Sequence, residues 1–257
     1  MYKQLKVEDF RKILKLPEDY RVDGVLIHGA MRKKKHKQEL EETIAKLGYK
    51  ANYSVIYESG FYENITVIEI DGKRIWFDSS YGGAYLCEVL HIASQLGSKK
   101  NILVGSCGGL APLGLAGDII IPSSSYGNES TTRMYQPDNE EFTYFPDTQL
   151  NENIKAKVNP KFKIIEGKLL TCQGALQESW EDIERWSNEG YVGVEMESST
   201  MFAVSSFFNI PSTAILFIAD NLIKKETLFG ENFEQLMEKF KESKFETFKV
   251  AFEELLT

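Results

Sequence analysis

The stretch YVGVEMESSTMFAVSSFFNIPSTAILFIADNL, residues 191–222, carries the decision about the fold. It opens on a short apolar run. Met201, Phe202, Val204, Phe207 and Phe208 then recur at roughly helical intervals, and a second apolar run, STAILFIADNL, follows Pro211. Strand, buried helix, strand is the reading that this periodicity supports. Two carboxylates, Glu195 and Glu197, stand at the entrance to the helix, where apolar surroundings would not hold them without partners. The plainer account is an acidic first turn against the positive end of the helix dipole, with Ser198 or Ser199 helping to cap it. The sharper account is a binding site, because a carboxylate facing a cleft accepts two hydrogen bonds at once and suits a vicinal diol such as that of ribose.

Working outward, the same alternation repeats. VDGVLIHGAM (22–31) reads as a strand running into Gly29, and KKHKQELEETIAKLG (34–48) as a charged helix ending at Gly48. ANYSVIYESG (51–60), ENITVIEIDG (63–72) and KRIWFDSSYGG (73–83) read as consecutive strands in a small antiparallel or mixed patch, with Asp71-Gly72 as the clearest turn. AYLCEVLHIASQLG (84–97) is an amphipathic helix. KNILVGSCGGL (100–110) is a buried strand expected to break at its glycine cluster. GDIIIPSSSY (117–126) and KIIEGKLLTCQG (163–174) are strands, SWEDIERWSNEG (179–190) is a helix, and the stretch 231–256 is a long amphipathic C-terminal helix. Between them, GNESTTRMYQPDNEEFTYFPD (127–147) has loop composition and a length that suggests function. Absent any linker or repeat, residues 1–257 are expected to form one α/β domain, a mixed sheet covered by helices on both faces, with its cleft beyond the carboxyl ends of strands.

Composition narrows the class. A net charge of -8 argues against a general nucleic-acid binder. The basic run RKKKHK, Arg32–Lys37, has a solvated helix face as its plainer reading. No apolar run approaches the roughly 20 residues needed to cross a membrane, and the charged N-terminal stretch has no signal-peptide character, so the expected location is the cytoplasm. Cys87, Cys107 and Cys172 lack metal-ligand spacing, which predicts buried thiols with neither disulfide nor zinc.

Further strand ends carry chemistry. Gly29 is followed by cations, and GSCGG (105–109) would let backbone N–H groups approach an anion or a base edge, with Ser106 adding a hydroxyl. Asp220 emerges where a buried strand ends. Desolvation there raises a carboxyl pKa and suits it to hand a proton to a leaving group, although it could instead cap the next turn.

Together, VGVEMESS, ILVGSCGGLAPLGLAGDIIIP, NESTTRMYQP and FIADNL resemble the nucleoside phosphorylase family, which includes the hexameric purine nucleoside and uridine phosphorylases and the methylthioadenosine/adenosylhomocysteine nucleosidases. The resemblance runs from Gly24 to about Leu228. It implies a three-layer α/β/α fold with a central mixed, partly barrel-like sheet. It also implies a homo-oligomer (a dimer, or a hexamer built as a trimer of dimers) and cleavage of an N-glycosidic bond. No metal or organic cofactor is implied, inorganic phosphate being a co-substrate. On this resemblance Glu197 accepts from the ribose 2′- and 3′-hydroxyls, Met196 packs under the sugar and Glu195 lies near the base. Asp220 protonates or hydrogen-bonds purine N7, Ser106 binds phosphate, and the backbone of Cys107 and Gly108 through Gly109 borders the base. A held diol and a nearby negative charge would stabilise the oxocarbenium-like sugar of the transition state.

The pattern departs from the family at the phosphate end. The arginine that the phosphorylases carry two residues before the glycine of ILVGS is Leu103 here. After Gly29 the chain reads AMRK, leaving Lys33 at the family's arginine spacing and Arg32 one residue early. Lysine serves phosphate as a point charge without the bidentate fork. The arginine that neighbouring subunits donate has no match in ANYSVIYESGFYEN (51–64). The nucleosidases share GAM but follow it with acidic residues, whereas RKKK suits an anion better than a general base. Phosphorolysis therefore ranks ahead of hydrolysis and of non-catalytic nucleoside binding. For the base, Gln173 and Gln177 are present, no arginine follows until Arg185, and Trp180 could replace the stacking phenylalanine of the uridine enzymes. With Asp220 as a purine-type acid, a purine nucleoside is the first expectation and uridine the other. His28 and His91 are assigned no role.

Overall fold

The computed structural model describes residues 2–57, 63–226 and 233–257. In chain order the elements are α1 (Val7–Ile13), β1 (Gly24–Gly29), α2 (Lys33–Lys46), β2 (Asn52–Tyr57), β3 (Glu63–Ile70), β4 (Lys73–Ser80) and α3 (Gly83–Gln95). They continue with β5 (Asn101–Gly109), β6 (Ile119–Tyr126), α4 (Ser130–Tyr135), β7 (Thr143–Tyr144), α5 (Thr148–Lys157) and β8 (Ile164–Thr171). The last are α6 (Trp180–Asn188), β9 (Tyr191–Glu195), α7 (Ser198–Phe207), β10 (Ser212–Asn221) and α8 (Phe233–Leu255). Of the expected segments, residues 58–60 of the strand over 51–60, residues 58–62 of 51–64, Leu228 and the first two residues of 231–256 lie outside the described residues.

One mixed sheet runs in the order β10-β6-β8-β9-β5-β1-β4-β3-β2. Because β10 also pairs with β5, the strands β5, β10, β6, β8 and β9 close on themselves as a five-stranded barrel. The remaining strands extend from it as an open wing. The patch expected over 51–83 is that wing: β2, β3 and β4 are antiparallel neighbours, and β4 joins β1 in parallel. Asp71 and Gly72 both take positive φ, 49° and 78°, the geometry of a tight hairpin turn.

Strand side chains alternate between faces, and each face has its own helices. Val25, Ile27, Trp76 and Leu103 pack with Leu86 and Leu90 of α3 and Met201 and Phe202 of α7. Leu26, Ile75, Phe77 and Ile102 pack with Leu40 and Ile44 of α2, Ile154 of α5 and Phe248 and Phe252 of α8. Each such side chain taken out of water contributes roughly 1.5–3 kcal/mol, whereas a helix cap contributes about 1 kcal/mol. The two apolar layers therefore dominate over the caps in holding the helices to the sheet.

The structure differs from the sequence reading in three places. β5 does not break at its glycines; it runs through to Gly109 and is shared between wing and barrel. A side chain would obstruct it there, since a Cβ on Gly108 or Gly109 would lie within 3 Å of Leu222 or Ile218 respectively. The segment 127–147 contains α4 and β7 rather than loop alone. α5 was not expected. Its stretch is mostly polar, and its start is marked by Asp147, whose carboxylate accepts from Leu150 N at 2.8 Å.

Candidate active site

β5 organises the site. Gly105 pairs with Gly29 at the end of β1, while Gly108 is flanked by Val194 of β9 and Asp220 of β10. β9 runs antiparallel to β5, so the residues after Val194 are carried back towards Gly105 and Gly29. Glu197 arrives there: a Cβ on Gly29 would fall 2.5 Å from Glu197 Oε2. Glycine at position 29 is what lets the carboxylate come so close. Asp220 and Glu197 thus border the same strand, three residues apart along it, or about 10 Å at the usual strand rise.

The two glutamates have separate jobs. Glu195 is the last residue of β9 and is 5% exposed. Its Oε2 accepts from Glu197 N and Ser198 N at 2.8 and 2.7 Å, and its Oε1 from Thr171 Oγ1 and Ser198 Oγ at 2.7 and 2.6 Å. This carboxylate holds the N-terminus of α7, so the dipole account describes Glu195, although the helix begins only at Ser198 and neither acid is in its first turn. All four of these hydrogen bonds point into the protein. Glu197, equally buried, accepts from Gly82 N at 2.7 Å through Oε1. Burial, then the neighbouring Glu195 carboxylate, pushes its pKa well above the usual carboxylate range.

A third acid that sequence reading passed over joins them. Glu129, just before α4, accepts from Ser199 Oγ and from Thr200 Oγ1 at 3.2 Å, and burial raises its pKa. It lies in the NESTTRM motif, whose length was the signal available. Gln173 donates to the Met196 carbonyl at 2.7 Å, tying the turn before α7 to the strand β8 side, and Met196 itself is half-buried.

At the other end, Asp220 is 7% exposed beside an irregularity in the β10–β5 pairing. Cys107 is buried between the fields of Glu195 and Asp220, and burial first and then these two carboxylates raise its pKa. Glu178, also missed from sequence, is pushed up to about 7 by burial and by the Asp220 and Asp182 charges. Trp180, half-exposed at the start of α6, has Lys225 Nζ 5.9 Å from its ring centroid. Arg185 pairs with Asp182 at 2.6 Å on an exposed helix face.

Ser106 is exposed and Gly108 half-exposed on the otherwise buried β5. Arg32 is exposed at the start of α2 and, with Lys33, Lys34, Lys35 and Gln38, lines an open depression. Lys33 turns inward: Nζ lies 2.8 Å from Asp78 Oδ1 and 3.0 Å from the Tyr85 hydroxyl. His28 is buried and stacked on His36 at 3.9 Å between ring centroids, and His91 meets the Tyr135 hydroxyl at 2.9 Å.

Residues 81–248 match the family model described as the phosphorylase superfamily. The chain belongs to that superfamily. The matched span contains Asp220, the glutamates and the β5 glycines, while Gly29, Arg32 and Lys33 precede it. Among similar proteins, the guanosine phosphorylase of Halorubrum lacusprofundi is 24% identical over 151 residues, 58% of this chain and 62% of that one. A DeoD-type purine nucleoside phosphorylase of Actinobacillus succinogenes is 25% identical over 163 residues, 62% and 68% of the two chains. The match thus spans about three fifths of the first relative's length. In fold, this superfamily member is similar to the uridine phosphorylase of Vibrio fischeri ES114, with a TM-score of 0.72 at 16% identity, over 100% of this chain and 99% of that one. Among the described residues no helix is long and apolar enough to cross a membrane.

Proposed function

We propose that this chain is a nucleoside phosphorylase, a pentosyltransferase that cleaves a purine nucleoside with inorganic phosphate to free base and ribose 1-phosphate. The observation that carries the reading is the spacing along β5: an acid at Gly108, a buried carboxylate at Gly105 and a glycine turn with cations beyond it. A base, a ribose and an anion would lie in that order. Glu197 holds the 2′- and 3′-hydroxyls, with Met196 under the sugar and Glu195 fixing the turn that carries both. As the C1′–N bond breaks, its electron pair goes to the base, Asp220 supplies a proton at N7, and a phosphate oxygen bonds C1′. Ser106 and the backbone at Gly29 receive the phosphate, with Arg32 and Lys33 nearby. Cys107, Gly108 and Trp180 border the base.

The purine choice is supported by the names of the relatives and by Arg185, which is occupied by Asp182 instead of reading a pyrimidine edge. A second reading, hydrolysis, is favoured by the Lys33–Asp78 pair, which neutralises a cation that phosphate would need. The test is a screen of guanosine, inosine, adenosine and uridine with and without phosphate. Base and ribose 1-phosphate appearing only with phosphate supports phosphorolysis. Equal release without phosphate transfers the assignment to a nucleosidase. As further parts of the proposal, residues 1–257 form one nucleoside phosphorylase-like domain that works as a homo-oligomer in the cytoplasm.

A further inference from the structure

The phosphate end of the cleft contains a carboxylate that the proposed reaction does not require. Asp78 of β4, Ile27 of β1 and Leu103 of β5 stand in register across three adjacent strands. They lie two residues before the row formed by Ser80, Gly29 and Gly105. Side chains two apart in a strand share a face, so Asp78 lies on the face where Gly29 meets Glu197. Leu103 brings no charge to its row. Lys33 reaches back from the start of α2 and ends on Asp78, with the Tyr85 hydroxyl as a second contact. The Asp78 side chain is 1% exposed, against 33% for Lys33. Asp78 Oδ2 and the hydroxyls of Ser79 and Ser80 have no hydrogen-bond partner among the described residues.

A buried carboxylate stripped of its cation is heavily penalised, so Lys33 cannot be surrendered to an incoming anion without cost. The pair carries no net charge, and Leu103, fully buried in the apolar core, adds none.

We propose that Asp78 is a specificity-determining residue that sets the affinity of the site for its anionic co-substrate by competing with it for Lys33. The inference rests on the phosphorolytic reading. It differs from a purely architectural role for Asp78, in which the carboxylate would hold Lys33 in the pose that phosphate needs, because the two roles predict opposite signs.

The experiment is to measure KM for inorganic phosphate at saturating nucleoside in the wild type, Asp78→Asn, Lys33→Met and the double variant. Competition predicts that Asp78→Asn lowers the phosphate KM about tenfold, the nucleoside KM staying within about twofold. Lys33→Met should raise the phosphate KM only about twofold alone but about tenfold in the Asp78→Asn background. An unchanged or raised phosphate KM in Asp78→Asn overturns the proposal, as does an equal effect of Lys33→Met in both backgrounds. Should Asp78→Asn fail to fold, a tenfold rise in phosphate KM for Lys33→Met alone overturns it, and a rise near twofold sustains it. If the wild type turns over no nucleoside, phosphorolysis fails separately, and calorimetric titration of inorganic phosphate into the same proteins, read for the same signs, decides the role of Asp78.

Discussion

Among the described residues, buried and half-buried acids are treated in opposite ways in two regions. On the α2–α8 face, Glu39 is paired with Lys244 at 2.6 Å and His36 at 2.8 Å, and these partners outweigh burial and hold its carboxyl down to about 2. Glu254, its side chain 1% exposed, is bridged by Lys100 at 2.9 Å and by Lys157, and its pKa is lowered. Around β5 and α7, burial raises Glu129, Glu195 and Glu197, the Glu195 charge adds to the rise of the other two, and the groups that hydrogen-bond to them are hydroxyls and backbone N–H groups. The first arrangement stabilises the fold. The second destabilises it at neutral pH and makes sense where a diol and a developing positive charge arrive to complete it.

The comparison can be broken most severely at Glu197. Glu197→Gln should lower kcat/KM about a thousandfold, by loss of transition-state stabilisation, while raising Tm, since an amide is buried in this crowded acidic site without having to take up a proton. Steady-state kinetics and calorimetry on the same sample check both, and a variant that loses Tm contradicts the contrast. Asp220→Asn should cost about a hundredfold in kcat with purine nucleosides, the range of a lost general acid. On the other face, Glu254→Gln should leave kinetics unchanged and destabilise by about 2 kcal/mol in urea unfolding, discounted from a fully buried pair because both lysines are partly exposed.

A smaller effect concerns pH. Asp78 and Glu178 are raised to about 6 and about 7, and Glu197 is raised as well. The folded state therefore binds more protons than the unfolded one above the usual carboxylate range. These groups contribute stability that is fully present below about pH 4 and is lost as pH rises through about 6 for Asp78, about 7 for Glu178 and about 8 for Glu197. Glu39 has the reverse sign: its contribution is present above about pH 4.5 and is lost as pH falls through about 2. Urea midpoints across pH 5 to 8 should decline in the wild type and decline less in Glu197→Gln.

Most of the architecture was legible because periodicity reports burial directly. The strand–helix–strand unit of 191–222, the Asp71-Gly72 turn and the C-terminal helix all follow from apolar spacing and turn chemistry. α5 was not, since few of its residues are apolar and its anchoring to α8 is tertiary. The course of β5 through its glycines was hidden for a related reason. Glycine ends many strands locally, and only the neighbouring Leu222 and Ile218 side chains reveal why small residues are needed inside this one. Within the site, Glu195 and Glu197 were visible as misplaced carboxylates, but their division of labour depends on Thr171, Ser198 and Gly82, which come from three other parts of the chain or turn. Asp78 and Lys33 are 45 residues apart and meet only because β4 lies beside β1.

The most direct measurement is a crystal structure of the protein soaked with a purine nucleoside. The account predicts both ribose 2′- and 3′-oxygens within hydrogen-bond distance of the Glu197 carboxylate and the base lying over Gly108 with N7 towards Asp220. A nucleoside bound elsewhere, or one seated in this cleft with its sugar turned away from Glu197, would contradict it.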